Sequence, residues 1–371
     1  MRLAYYAPLK SPDHAEPSGD RAMARALLLA LAAGGHDVRL ASTFRSRSAV
    51  PDDDRREALQ AGARTEVERL SRQWREAADG WHPEAWFTYH LYYKAPDWIG
   101  PELCRRLMIP YVTAEASYAG KRDRDAWAPW QRDAAAAIRQ ATINFCLTAQ
   151  DRAGLEQIAG RLGRLVDLPP FIETVAETGE AAGRLRNAVP VLAAVGMMRA
   201  GVKIDSYRML AAALGMLLDA GWRLHIIGDG PARDEVVAAF SAIPPERIAW
   251  AGALAPAEVR RRLAAADVYL WPGFGEAYGM AYLEAQAAGL PVVAQRTGGI
   301  TSVVRDGETG FLTGLGDQAA YAAAVRRLLS DDALRARMGR AAARFVREER
   351  TVAAAAKVLD AGLASLGGSR R

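Results

Sequence analysis

Short apolar runs alternate along the whole chain with longer segments whose apolar residues recur at helical spacing. In the first half, apolar runs bounded by turn residues predict the strands Leu3–Ala7, His36–Ser42, Ala85–Tyr89, Tyr111–Glu115 and Thr142–Leu147. The segments between them predict helices near residues 20–34, 55–79, 97–108 and 125–140. Strands and helices that alternate in this way indicate a doubly wound parallel sheet, the α/β class.

The same alternation restarts in the second half. The predicted strands there are Val189–Val195, Trp222–Gly228, Ile248–Ala251 and the short runs 267–271 and 291–294. Helices are predicted near 204–220, 231–240 and 256–265, from Tyr278 onward, and through the tail beyond 317. The segment Gly183–Val189 separates the two patterns and predicts a linker. The chain therefore divides into two similar Rossmann-like domains, residues 1–188 and 189–349.

Composition and charge narrow the class of protein. The chain has 371 residues, 50% of them hydrophobic, which is enough for two medium-sized cores. Its net charge is +5, and most arginines alternate with acids along helical stretches, so nucleic acid is not an expected partner. Cys104 and Cys146 lie in apolar runs without metal-ligand spacing, which predicts buried free thiols in a reducing compartment.

The first residues of the sequence and the length of its apolar runs bear on localisation. Met1 is followed directly by a predicted strand, without the apolar region of a signal peptide. The longest apolar runs, near 26–33 and 209–218, fall well short of the roughly 20 residues that a membrane span needs. We therefore expect a cytoplasmic protein, and peripheral membrane contact stays an open alternative.

The most informative segment places two carboxylates eight residues apart between two apolar runs. These are Glu276 and Glu284, with Gly279 between them. If Glu276 precedes a helix that begins near Tyr278, both side chains can line one cleft. Gly279 lets a ligand approach the backbone, and the helix start offers free N–H groups to an anion. Carboxylates for hydroxyl groups beside a phosphate site predict a sugar-nucleotide site. The alternative is a surface helix that carries two ordinary acids.

Six segments in the second half, in this order, resemble the donor-binding domain of the retaining family-4 glycosyltransferases, which have the GT-B fold. They are Val195–Lys203, Ile226–Pro231, Ala251–Leu254, Glu276–Glu284, Gly298-Gly299 and Asp306–Leu312. The resemblance is close over about 190–315 and loose over the first half. It implies two Rossmann-like domains that face a central cleft, with the first domain completed by a C-terminal helix at 350–366.

The resemblance also implies roles for the charged residues of the second domain. Arg199 and Lys203 would stabilise the leaving diphosphate, whose oxygens gain negative charge in the transition state. Glu276 would hold hydroxyl groups of the transferred sugar, and Glu284 would accept hydrogen bonds from the ribose. The other donor-binding residues that it implies are Gly196, Gly228, Gly230, Leu254, Tyr278, Gly279, Met280 and Ala281. For the cations, the alternative is a solvated pair at a helix start.

Three residues of the first half have weaker assignments. Gly19 opens the first helix, where similar enzymes place a glycine loop that touches the donor phosphates. His90 follows a predicted strand at its carboxyl end, where open α/β sheets bind ligands, and the family has a comparable histidine near the donor sugar. Glu115 ends the next strand and is a candidate on the acceptor side. A structural role is the alternative for His90, and capping or solvation for Glu115.

The resulting hypothesis is a retaining glycosyltransferase that moves a hexose-type sugar from a UDP- or GDP-sugar to a glycan, lipid or small molecule. The resemblance implies no cofactor and no metal, in keeping with the lack of an Asp-x-Asp motif. Alternatives are a sugar-nucleotide epimerase or phosphorylase on the same fold, or a non-catalytic sugar-nucleotide-binding protein. A Rossmann dehydrogenase is disfavoured because no G-x-G-x-x-G opens the first helix.

One further segment combines aromatic and basic residues. It contains Lys121, Arg122, Arg124, Trp127 and Trp130. This composition is compatible with a loop that contacts a lipid headgroup or a glycan. It is also compatible with a partly buried loop whose charges are solvated, and this second interpretation is favoured.

Overall fold

The computed structural model describes residues 1–16, 18–158, 160, 163–173 and 187–366. The chain forms two compact units. Unit 1 consists of Met1–Pro169 and Val352–Arg371, and unit 2 of Pro170–Thr351. The predicted class is confirmed, because each unit is built on a six-stranded sheet whose strand pairs are all parallel.

Unit 1 has six strands in the order β2-β1-β3-β4-β5-β6. They are β1 (Arg2–Tyr6), β2 (Asp37–Ser42), β3 (Ala85–Tyr89), β4 (Tyr111–Ala114), β5 (Ile143–Cys146) and β6 (Arg164–Asp167). The helices are α1 (Gly19–Ala33), α2 (Asp53–Arg75), α3 (Gly100–Leu107), α4 (Ala128–Gln140), α5 (Ala149–Glu156) and α12 (Val352–Ala364), with a 3₁₀ helix at Gly120–Arg124. Strand order reverses between β1 and β3, so their carboxyl ends form the topological switch point of this sheet.

Unit 2 has the strand order β12-β11-β10-β7-β8-β9. Its strands are β7 (Val191–Val195), β8 (Arg223–Ile227), β9 (Ile248–Gly252), β10 (Val268–Leu270), β11 (Val292–Gln295) and β12 (Gly310–Thr313). Its helices are α6 (Val202–Gly215), α7 (Arg233–Ala239), α8 (Pro256–Ala264), α9 (Met280–Ala287), α10 (Gln318–Ser330) and α11 (Asp332–Glu349), with 3₁₀ helices at Pro245–Arg247 and Gly298–Ser302. Here the order reverses between β7 and β10.

Helix α12 belongs to unit 1, where it packs along α1. Its Leu359 is fully buried. Gly362 lies so close to β5 that a Cβ atom there would be 2.5 Å from the ring of Phe145. His36 also places its Nε2 3.7 Å from the carboxylate of Asp360. The last helix is therefore part of the apolar core of unit 1.

The division between the units differs from the boundary expected at 188/189. Unit 2 begins at Pro170. Ile172 pairs with Thr351 and donates a backbone hydrogen bond to the carbonyl of Arg350 at 3.0 Å. The predicted linker Gly183–Val189 lies mostly outside the described residues.

Two expectations from the sequence concern the burial of the cysteines and the length of the apolar helices. Cys104 and Cys146 are buried free thiols, as predicted, and burial raises the pKa of Cys146 to about 12. None of the helices in the described ranges is both long enough and apolar enough to cross a bilayer.

Candidate functional site

The switch point of unit 2 is bordered by the segments that follow β7 and β10. The Tyr207 hydroxyl on α6 donates to the carbonyl of Gly196 at 2.7 Å, and its ring meets Trp271 edge-on at 4.9 Å between centroids. A Cβ atom on Gly196 would lie only 2.7 Å from Cη2 of Trp271. Gly196 therefore allows the end of β7 to pack directly on the indole that follows β10.

A cluster of three side chains lies at this switch point: Lys203, Trp271 and Glu276. One carboxylate oxygen of Glu276, Oε1, accepts hydrogen bonds from Lys203 Nζ and, at 2.9 Å, from Trp271 Nε1. The Lys203 ammonium is also 5.6 Å from the centre of the Trp271 ring. Among the described residues no donor reaches the second oxygen, Oε2, which is therefore able to accept from a ligand. Glu276 and Lys203 are both largely buried, with side chains 16% and 25% exposed.

The loop that carries Glu276 is held by close backbone packing. Gly298 has φ of +51°, and a Cβ atom there would lie 2.3 Å from the carbonyl oxygen of Glu276. The amide of Gly299 donates to the carbonyl of Ala277 at 2.6 Å. The close packing at Gly298 and the hydrogen bond from Gly299 thus hold the Glu276 loop in place. The sequence identified this pair only as part of a motif.

Gly279 joins this loop to helix α9. Its φ of +76° lies in the left-handed region, and a Cβ atom would lie 2.6 Å from the ring of Tyr282. The first helical residues are Met280 and Ala281, whose amides have no carbonyl acceptor inside the helix because they belong to its first turn. Tyr278, just before them, is buried. The helix start therefore offers backbone donors and a positive dipole end beside Glu276.

Glu284 lies one turn further along α9. It is half-buried, and no hydrogen bond from the described residues reaches its carboxylate. Burial raises the pKa of this carboxyl group, and the positive charge of Arg260 on α8 opposes that shift. Nε of Arg260 is itself buried and has no hydrogen-bond partner in the described part of the chain. A partly desolvated carboxylate without a donor is stabilised when a ligand supplies one.

The turns after β8 and β9 extend the site along the sheet. A Cβ atom on Gly228 would lie 1.9 Å from the carbonyl oxygen of Gly196, and one on Gly230 would lie 2.3 Å from that of Met198. These two glycines let the turn after β8 pack on the turn after β7. Leu254 is half-buried in the turn that follows β9. Three of the predicted donor-binding glycines, Gly196, Gly228 and Gly230, thus lie in two turns that pack on each other.

Arg199 lies in the same turn as the predicted phosphate-binding segment, between β7 and α6. Its side chain is exposed, and its backbone amide donates to the carbonyl of Met197 at 3.2 Å. The side chain of Lys203, in contrast, is largely buried, and its ammonium contacts Glu276.

The switch point of unit 1 brings together the three residues singled out in the first half. Gly19 begins α1 after its N-cap residue, Ser18. Next to it, Asp20 places Oδ1 3.0 Å from Nδ1 of His90, and the same nitrogen is 3.7 Å from Oε1 of Glu115. His90 and Glu115 follow β3 and β4 with φ of +59° and +55°, which are uncommon for residues other than glycine. Two strained residues at the ends of neighbouring strands are typical of a functional site.

Electrostatics make His90 a cation at neutral pH. Burial by itself would lower the pKa of His90, but the carboxylates of Glu115, Asp20 and Asp151 raise it to about 9. Burial also acts to raise the pKa of Asp20, yet the contact with His90 lowers it overall. Within the described ranges, no group of three or more His, Cys, Asp and Glu side chains is arranged to hold a metal ion.

Three participants were missed in the sequence. Trp271 ends an apolar run that predicts only a strand, although an indole at the carboxyl end of a strand can donate a hydrogen bond to a site residue. Asp20 follows Gly19 in the first helix, where no pattern in the sequence marks it as a site residue, and Asp151 lies in the capping box of α5. Only the strand order reveals that Asp20 and His90 face each other.

Known proteins resemble both units. Residues 189–331 match the family described as "Glycosyl transferases group 1". A D-inositol 3-phosphate glycosyltransferase of Acidothermus cellulolyticus is 30% identical over 71% of this chain and 64% of its own length. One from Streptomyces avermitilis is 52% identical over 22% of this chain and 17% of its own length. The chain spans less than two thirds of the length of these curated relatives.

Solved structures match the fold over the whole chain. A sucrose-phosphate synthase from Thermosynechococcus elongatus has a TM-score of 0.74 at 19% identity, with 100% of both chains covered. The Anabaena protein HepE, in complex with UDP-glucose, has a TM-score of 0.66 at 16% identity and covers 98% of this chain and 100% of its own. The chain therefore has the two-domain fold of the GT-B glycosyltransferases, and residues 189–331 carry the sequence pattern of glycosyl transferases group 1.

Proposed function

We propose that this protein is a retaining glycosyltransferase that transfers a hexose-type sugar from a UDP- or GDP-sugar to an acceptor alcohol. The observation that carries the proposal is the switch point of unit 2. There, an oriented carboxylate on Glu276, a helix start at Gly279 and a carboxylate without a donor on Glu284 follow one another along the chain. Open α/β sheets bind ligands at this position.

Each part of this site suits one part of a sugar nucleotide. The ribose diol supplies the two hydroxyl donors that Glu284 lacks. The diphosphate suits the amides at the start of α9, where the helix dipole favours negative charge. The free oxygen of Glu276 suits a hydroxyl group of the sugar, because Lys203 and Trp271 already fix the other oxygen.

The reaction breaks the bond between the anomeric carbon and the phosphate oxygen, and forms a bond between that carbon and the acceptor oxygen. The leaving phosphate takes the proton of the acceptor hydroxyl, so atoms and charge balance without an added base. Departure and attack on the same face retain the anomeric configuration. Lys203 and Arg199 stabilise the charge that develops on the leaving diphosphate.

A fold neighbour suggests which nucleotide to test first. A fold neighbour was solved with UDP-glucose, although at 16% identity it supports the fold alone. The curated relatives are named D-inositol 3-phosphate glycosyltransferase and, in Arabidopsis thaliana, sulfoquinovosyl transferase. UDP is therefore the first nucleotide to test, and a metal requirement is not expected.

Two matched variants test the assignment. Glu284→Ala should weaken UDP binding, because ribose contacts exist in the ground state and the transition state alike. Glu276→Ala should depress turnover and leave the UDP affinity nearly unchanged. Calorimetry with UDP and with GDP measures the first effect, and release of UDP from UDP-glucose in the presence of acceptor measures the second. Equal loss of nucleotide affinity in both variants would refute these roles.

The same assay separates the rival functions. An epimerase would convert the UDP-sugar without releasing UDP. A phosphorylase would require inorganic phosphate, and a binding protein would show an isotherm without turnover.

A further inference from the structure

Arg260, on helix α8 of unit 2, places a positive charge beside the predicted donor site. Helix α8 packs against α9, the helix that carries Glu284. The next two residues along α8, Arg261 and Arg262, both pair with Glu258 on their own helix. Arg260 forms no such ion pair in the described part of the chain, and its charge acts instead on the carboxylate of Glu284.

The Arg260 side chain has an unused hydrogen-bond donor. The residue is half-buried, and its Nε atom is fully buried with no acceptor among the described residues. A guanidinium offers only donors, so this N–H requires an acceptor. Buried donors in folded proteins are nearly always paired with protein, water or a ligand. An acceptor is therefore expected at Nε of Arg260 when the site is filled.

Glu284 has the complementary deficit. Its carboxylate is half-buried and receives no hydrogen bond from the described residues. Burial raises the pKa of this carboxyl group and Arg260 opposes the shift, which shows that the two charges are near each other. They are not in contact, because no Arg260 nitrogen lies within 4.0 Å of the Glu284 carboxylate in the described structure. Between them is a gap that suits a group able to bond to both.

The chemistry of that group follows from the two side chains. It has to accept a hydrogen bond from Arg260 and donate one to Glu284. A phosphate or carbonyl oxygen only accepts, and an ammonium group only donates. A hydroxyl group does both, since it has one O–H donor and two acceptor lone pairs. In the proposed function, the hydroxyl groups next to Glu284 are those of the nucleotide ribose.

We propose that Arg260 is a second ligand of the ribose, whose Nε–H donates to the oxygen of the hydroxyl group that Glu284 binds, and that this pair makes the site select ribonucleotides over deoxyribonucleotides. The proposal rests on the proposed function, because it concerns the donor nucleotide. A site built to bind a hydroxyl group rejects the analogue without it, because the polar groups of the site are then left unpaired.

A water molecule has the same hydrogen-bonding pattern and is the alternative occupant of the gap. If water stays there when the nucleotide binds, the affinity does not depend on a ribose hydroxyl through Arg260. If the hydroxyl takes this place, removal of the hydroxyl and removal of the Arg260 guanidinium weaken binding through the same hydrogen bond. The two occupants therefore differ in whether these two effects are coupled.

The test compares UDP with 2′-deoxy-UDP and 3′-deoxy-UDP by calorimetry. The wild-type protein should bind UDP about tenfold or more tightly than at least one deoxy analogue. Arg260→Met keeps the apolar stem and should lower the affinity for UDP about tenfold, while the affinity for that analogue should fall much less. The ratio of the two affinities is the readout, because a changed net charge of the site affects both nucleotides equally.

Two further variants separate a direct contact from other effects. Arg261→Met removes the same charge from the next position, where the side chain is 75% exposed, and should keep the wild-type ratio. Glu284→Ala should keep part of the preference for ribose, because Arg260 still donates to the hydroxyl. Addition of Arg260→Met to Glu284→Ala should then abolish the remainder.

Three results would overturn the proposal: equal binding of UDP and both deoxy analogues by the wild type, a wild-type ratio in Arg260→Met, or loss of the whole preference in Glu284→Ala alone. A protein that binds neither UDP nor GDP would refute the donor site together with this proposal. Ribose selection that depends on Arg260, without release of UDP from UDP-glucose, would refute the transferase function and leave the role of Arg260 intact.

Discussion

The charge on His90 offers a direct test of the electrostatics of unit 1. The carboxylate of Asp20, 3.0 Å away, is its nearest partner, and replacement by asparagine keeps the shape while it removes the charge. Opposite charges at this distance shift a pKa by roughly 1–3. The pKa of His90, raised to about 9 in the intact cluster, should therefore fall by about 1–2 in Asp20→Asn and remain above that of a free imidazole because Glu115 is still present.

The same shift determines how stability depends on pH. A folded-state pKa of about 9 against an ordinary value of 6.5 corresponds to ~3 kcal/mol of stabilisation. Because the folded-state pKa is the higher one, this stabilisation is complete below pH 6.5 and is lost as the pH rises through about 9. In Asp20→Asn the loss should be smaller and should end at lower pH.

Titration of the imidazole resonances by NMR measures both effects. His36 and His225 serve as internal controls: burial lowers the pKa of each, and nearby positive groups add to that shift. They should titrate below 6.5 in both proteins. Titration of His90 at or below 6.5 in the wild type, or an unchanged His90 in Asp20→Asn, would refute the reasoning.

Three further predictions concern single side chains. Lys203→Met should lower turnover by about 10², the cost of losing one charge-stabilising donor, and should leave folding intact; near-normal UDP release would exclude Lys203 from the reaction. Gly298→Ala should destabilise unit 2 by about 1–3 kcal/mol in urea denaturation and reduce turnover, because a Cβ atom would lie 2.3 Å from the Glu276 carbonyl at φ of +51°. Leu359→Ala should cost about 2–5 kcal/mol as a buried truncation in unit 1, without changing UDP affinity; a loss below 1 kcal/mol would contradict the packing of α12.

The sequence predicted the elements that are rich in apolar residues. Strand β3 begins and ends at the predicted residues, Ala85 and Tyr89, because all five of its side chains are buried. Strand β6, Arg164–Asp167, was missed because it is an edge strand with charged ends and partly exposed residues, so no apolar run marks it. Helix α5, Ala149–Glu156, was missed because its eight residues carry no sustained apolar stripe.

The candidate site was likewise predictable only in part from the sequence. Motif order predicted that Lys203 and Glu276 belong to one site, and the two side chains are in contact. It could not reveal that Lys203 and Trp271 share one oxygen of Glu276, because Lys203 and Glu276 are 73 positions apart and meet only through the order of the strands. The pairing of Asp20 with His90 is of the same kind.

The place of α12 in unit 1 has a consequence for biosynthesis. The two parts of unit 1 are separated along the chain by all of unit 2, so the α12 segment leaves the ribosome only after unit 2 has been made. Until then, the side of α1 that packs against α12 has no partner. Unit 2, which is continuous, is able to complete its fold first. A ribosome that stalls before residue 352 would thus present an exposed apolar strip, which is the kind of surface that chaperones bind.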